Sequence, residues 1–165
     1  MEAEDFANKI FEIKSLLEEN EGVALFASHK SRSGKVFENW LKVELCGILS
    51  HYGKVLPEVS DAKKKIDIVF NDDNNEWAIS LKDRKKRGIN VLDNLKELKK
   101  APYNKYKKTC LVFLTFSPFG KKIRYDTSIT RELNDKKIIP RIEEFKFKNT
   151  VFKYNNEGRI WFVLG

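Results

Sequence analysis

Two cysteines and two histidines are few soft-metal ligands for a chain of this size, and without a CxxC pair a structural zinc site is not expected. Cys46 falls in an apolar helical pattern and Cys110 heads an apolar strand, so both read as small core residues in a reducing compartment. Proline (four) and glycine (eight) are sparse, and no low-complexity run or internal repeat occurs, which argues against a linker, a disordered tail or a solenoid. No apolar run approaches the roughly 20 residues of a membrane span. The opening MEAEDFANKIFEIK starts with acids and has neither a basic n-region nor an apolar h-region. A soluble, cytoplasmic protein with no membrane partner is the expectation.

What is present suits one folded domain, 1–165. The 165 residues, 41% hydrophobic and 12% aromatic, are enough to bury roughly two-thirds of the unfolded surface in a single core. The net charge of +8 is concentrated. Between Lys82 and Lys108 stand 11 Lys or Arg against three acids (Asp83, Asp93, Glu97), a net +8, and the rest of the chain balances at 21 basic and 21 acidic residues. A charge run is often only a solvated face, but a local excess beside a candidate site points to a polyanionic partner.

Apolar spacing predicts an amphipathic opening helix over 5–19, ending at Asn20 and Gly22. The basic segment ASHKSRSGK (27–35) reads as a loop. A second helix, about 34–52, carries Phe37, Leu41, Leu45, Ile48 and Tyr52 on one stripe, with Glu38 and Glu44 flanking it on opposite sides. Three extended runs follow: KVLPEV (54–59), marked as an edge by Pro57; KIDIVF (65–70); and EWAISLK (76–82), reached through the turn formers NDDNN. In the last, Glu76, Ala78, Ser80 and Lys82 share one face and Trp77, Ile79 and Leu81 the other. A helix over about 90–100 and a buried strand, CLVFLTF (110–116), complete the order helix, strand, strand, strand, helix, strand. Residues 145–154 and 159–164 read as a terminal hairpin turning at NNEG, on the flank of the sheet.

Two residues carry the chemistry. Asp67 stands between Ile66 and Ile68, where an unpaired carboxylate is costly. Lys82 ends the partner strand, and the hairpin brings the two toward one end of the sheet. A carboxylate that holds Mg2+ and a lysine that orients water are what phosphodiester hydrolysis needs.

On GKVFENWLKVELCGILSHYG, KKKIDIVF and EWAISLK, the chain resembles the PD-(D/E)xK nuclease superfamily over about 34–116, with 117–165 as an elaboration. The resemblance implies an α/β (α+β) restriction-endonuclease-like core, a mixed sheet flanked by helices, with an N-terminal helix and a C-terminal β-hairpin. It implies a Mg2+- or Mn2+-dependent DNA endonuclease of restriction or of repair and recombination, working as a homodimer or as a subunit of a larger complex. Asp67 would be a metal ligand, Lys82 the catalytic lysine, Glu38 the helix-borne catalytic and metal-binding carboxylate, and Leu81 a metal ligand through its backbone carbonyl.

Ser80 stands where the family has its second acid. Glu76 shares its face but lies about 13 Å along the strand. The acids ranked to complete the site are Glu38, then Glu44, then Glu97 and Asp93 on the next helix, where the spacing favours solvated charge. Arg84, Lys85, Lys86 and Arg87 are expected to contact nucleic-acid backbone, with Lys30, Arg32 and Lys35 as another wall. Ser80 also leaves open a nucleic-acid-binding subunit of the same fold without catalysis, and a small basic chain of this fold can be a nuclease toxin domain acting on RNA or DNA.

Overall fold

The computed structural model of the protein describes residues 1–19, 34–61, 64–82, 90–117, 124–149 and 154–165. The opening stretch forms two helices, α1 (Ala3–Phe11) and α2 (Ile13–Glu19), where spacing predicted one. The chain turns at Glu12, whose carboxylate accepts the Tyr52 hydroxyl at 2.7 Å, and both short helices can then bury their apolar sides: Phe6, Ala7 and Ile10 from one, Ile13 and Leu17 from the other. Helix α3 (Gly34–Ser50) buries Leu41, Leu45 and Leu49. Leu49 closes the stripe in place of Ile48, which is half-buried, and Tyr52, which lies beyond the helix and is exposed.

Strands β1 (Lys54–Asp61), β2 (Lys64–Asn71) and β3 (Glu76–Lys82) form an antiparallel meander. The Asp72 side chain accepts the backbone N–H groups of Asn74 and Asn75 and so shapes the turn between β2 and β3. Helix α4 (Val91–Leu98) starts at Asn90, whose side chain accepts the Asp93 N–H, and leads to β4 (Lys108–Ser117), parallel to β3. Helix α5 (Arg124–Asp135) and strands β5 (Arg141–Asn149) and β6 (Tyr154–Leu164) complete the chain. The sheet order is β1-β2-β3-β4-β6-β5, a mixed sheet of six strands. The terminal hairpin therefore continues the sheet beyond β4. NNEG does not turn it: Asn155 to Gly158 lie within β6, paired with β5. Spacing also passed over α5, which buries Ile129 and Leu133 in a polar sequence.

Alternation along the strands divides the core into two layers. On the α1–α3 side, Trp77, Ile79 and Leu81 of β3 join Phe70, Val112 and Phe162, with Phe6 stacked on Trp77 at 4.3 Å between ring centroids. On the α4–α5 side, Ala78, Leu111, Phe113 and Trp161 meet Val91, Leu95, Leu98 and Leu133. Each large side chain so buried contributes on the order of 2 kcal/mol. Cys110 is fully buried, and burial pushes its thiol pKa up. Among the described residues no helix is long and apolar enough to cross a membrane.

Candidate functional site

The alternation that governs the sheet fails at one place. Ile66 packs on the α4 side and Ile68 on the α3 side, although residues two apart in a regular strand share a face. The break falls at Asp67. Its partner position in β1 is Glu58, with a left-handed backbone (φ 51), and the ladder there runs from Pro57↔Ile68 to Val59↔Ile66 without a Glu58–Asp67 pair. On the other side, pairing of β2 with β3 runs from Asn71↔Glu76 to Ile68↔Ile79 and goes no further. The strands part, and the Asp67 carboxylate enters the gap. Its Oδ2 accepts the Leu81 N–H at 2.7 Å, the bond a backbone carbonyl would otherwise make. In a strand the N–H and C=O of one residue point to the same edge, so the Leu81 carbonyl borders the same gap.

From the α3 side Lys42 reaches into this gap. It is only 9% exposed, and its ammonium donates to Glu58 Oε1 at 3.0 Å and stands 3.8 Å from Asp67 Oδ1. Lys65 approaches the other Glu58 oxygen at 3.6 Å. Lys42 first, and Lys65 after it, hold the Glu58 carboxyl below its ordinary pKa.

From the α4 side the gap opens into a cleft of about 220 Å3, lined by Lys64, Lys65, Ser80, Lys82, Asn94, Glu97 and Tyr103, with Leu98 and Ala101. Glu97 pairs with Lys100 at 2.7 Å and Lys64 at 3.2 Å, and both lower its pKa. Lys82 makes no ion pair among the described residues. Tyr103 lines the cleft beside Ser80, and burial pushes its pKa up to about 12.

The residues read from sequence thus separate into two groups. Ser80 and Lys82 line the cleft together, as their shared face predicts, and Glu97 lines it with them, although spacing had assigned it to solvated surface. Asp93 is engaged outside the cleft, with Asn90 and Lys96. Asp67 and Leu81 meet in the gap. Glu38 lies one turn before Lys42 on the same helical face, whereas Glu44 stands about 200° round the helix from Lys42 and so on the flank away from Asp67. Lys30, Arg32, Arg84, Lys85, Lys86 and Arg87 lie outside the described residues, as does the side chain of Lys35.

Lys64 and Lys65 of the cleft escaped the sequence reading, and so did Lys42, Glu58 and Tyr103. Lys42 lies about 60° from the direction of Leu41, Leu45 and Leu49, a signal that helical phase carried. Glu58 is identified by register once β1 and β2 are paired. Tyr103, in a turn after α4, had no signal.

The site suits a divalent ion poorly in this arrangement. Mg2+ asks for oxygen ligands at about 2.1 Å in near-octahedral array. One Asp67 oxygen is committed to the Leu81 amide and the other faces an ammonium, and Glu58 is bound by two lysines. Among the described residues no three His, Cys, Asp or Glu side chains converge on a point. Comparison of the chain with protein-family models, curated proteins and solved structures yields no match, so the site stands on its own geometry.

Proposed function

We propose that this chain binds DNA, taking the phosphodiester backbone in the cleft between β3 and α4. The observation that carries this reading is the cleft's charge: Lys64, Lys65 and Lys82 against the single carboxylate of Glu97. The chain leaves this cleft at Lys82 into the segment that holds the entire charge excess of the sequence. Lysines so placed neutralise phosphates and release counterions, which supplies most of the affinity for a polyanion. The order α3, β1, β2, β3, α4, β4 also fits the PD-(D/E)xK resemblance and its restriction-endonuclease-like core. Duplex DNA binding followed by fluorescence anisotropy over a salt series tests the reading. Affinity should fall steeply with salt, and replacing Lys64, Lys65 and Lys82 together by alanine should weaken it and flatten the slope. Unchanged affinity in that variant would sink the proposal.

A second reading, a Mg2+- or Mn2+-dependent endonuclease of restriction or repair, is favoured by Asp67 on the Leu81 N–H where β2 and β3 part and by Ser80 and Lys82 in the adjoining cleft. On that reading Glu97, which lines the cleft with Lys82, is the acid best placed to help, ahead of Glu38 and Glu44. Cutting of DNA with either metal, abolished by Asp67→Ala and by Lys82→Ala, would establish it. No cutting of linear, supercoiled or branched DNA would leave the binding reading alone.

A further inference from the structure

The α3 side of the gap contains a cation already. We propose that the Lys42 ammonium is the resident cation of this site, occupying the place between two carboxylates that a divalent ion would take and leaving the site independent of metal. The inference deepens the DNA-binding reading and rests on it for its functional meaning.

Three observations carry it. The first is where the charge sits. Lys42 is 9% exposed, yet its ammonium is brought between Glu58 Oε1 (3.0 Å) and Asp67 Oδ1 (3.8 Å), carboxylates from two different strands. A buried ammonium is tolerated only with such partners. The second is the backbone. Glu58 adopts φ 51, a conformation that disfavours a side chain with a Cβ, at the one position where the β1–β2 ladder is interrupted. The third is Asp67 itself, whose second oxygen is fixed by the Leu81 N–H, so that the carboxylate cannot turn away from Lys42 without leaving an amide unpaired. Two acids of neighbouring strands that reach one ammonium, with the Leu81 carbonyl bordering the gap beside Asp67, become a set of oxygen donors suited to a hard cation once that ammonium is taken away. The chain supplies that cation from α3.

The test is Mn2+ binding without DNA, measured by electron paramagnetic resonance of free Mn2+ on the wild-type chain, Asp67→Asn, Lys42→Met and the double variant Lys42→Met/Asp67→Asn. Wild type should bind Mn2+ no better than Asp67→Asn. Lys42→Met, which leaves Glu58 and Asp67 without their ammonium, should bind about tenfold more tightly than wild type, a gain of about 1.4 kcal/mol. The double variant should lose that gain. Wild-type binding that Asp67→Asn abolishes would overturn the proposal, since the metal would then displace Lys42. A folded Lys42→Met that gains nothing would overturn it too. If Lys42→Met fails to fold, wild type against Asp67→Asn still decides. Because no DNA is present, failure of the DNA-binding reading leaves these results intact, and a wild-type DNA affinity unchanged by EDTA connects the two.

Discussion

The two sides of the gap between β2 and β3 handle charge in opposite ways. On the α3 side Lys42, Glu58 and Asp67 are mutually matched, and Lys42 and Asp67 are largely withdrawn from water. On the α4 side Lys64, Lys65, Lys82 and Glu97 stand around an open cleft, and positive charge is in excess. The difference follows from solvation. An ion removed from water has to find its counter-charge within the fold, whereas an ion left in water can wait for one from outside. Lys65 belongs to both sides, approaching Glu58 at 3.6 Å while lining the cleft.

Substitutions that exchange these two behaviours should have the largest effects. Asp67→Leu removes the acceptor of the Leu81 amide and one of Lys42's two counter-charges, and should cost about 3 kcal/mol in urea unfolding. Asp67→Asn keeps an acceptor for Leu81 and should cost about 1 kcal/mol. Equal losses in the two variants would mean that the amide bond does not hold the gap.

Next in size is the cleft. Alanine at Lys64, Lys65 and Lys82 together should weaken DNA binding by more than tenfold at moderate salt and reduce the salt slope by about 0.9 for each phosphate contact removed. Stability should hardly change, because exposed charges contribute little to it. A large loss of stability would show that the cleft is as internal as the gap.

A smaller effect is expected in acid. Glu58 ordinarily titrates at 4.5 and is held lower in the fold, chiefly by Lys42. Its contribution is therefore fully present above that ordinary value and is lost as the pH falls through the lowered one. Urea midpoints measured from neutral pH down to strong acid should show this loss below about pH 4.5. Lys42→Met should show less of it, since Glu58 then has no buried ammonium to lose. The smallest effect is that of Glu97→Gln, which frees Lys64 from its partner: stability stays as it was and DNA affinity rises, read by anisotropy.

The fold was legible wherever spacing was dense. EWAISLK alternates cleanly, and β3 occupies those residues with the two faces assigned as the alternation predicts. RYDTSITRELND has too few apolar positions to declare a helix, and NNEG looks like a turn while lying in a strand held by β5. Within the site, Asp67, Ser80 and Lys82 were legible because an odd residue in a regular pattern is visible. Lys42, Glu58 and Tyr103 were not singled out, because their roles depend on partners far away in the chain or in an interrupted ladder, and such partners are supplied by tertiary structure. The place of Glu44 on the flank away from Asp67 was hidden for a related reason: symmetry about a buried stripe does not say which flank faces Asp67.

The residue at position 80 bears on what the cleft can hold. Ser80 is buried and lines the cleft together with Lys82 and Tyr103. A carboxylate at this position could only accept hydrogen bonds while ionised and would repel a phosphate. A serine hydroxyl can donate as well as accept, and it gives the cleft a neutral group among its lysines, suited to an anionic oxygen.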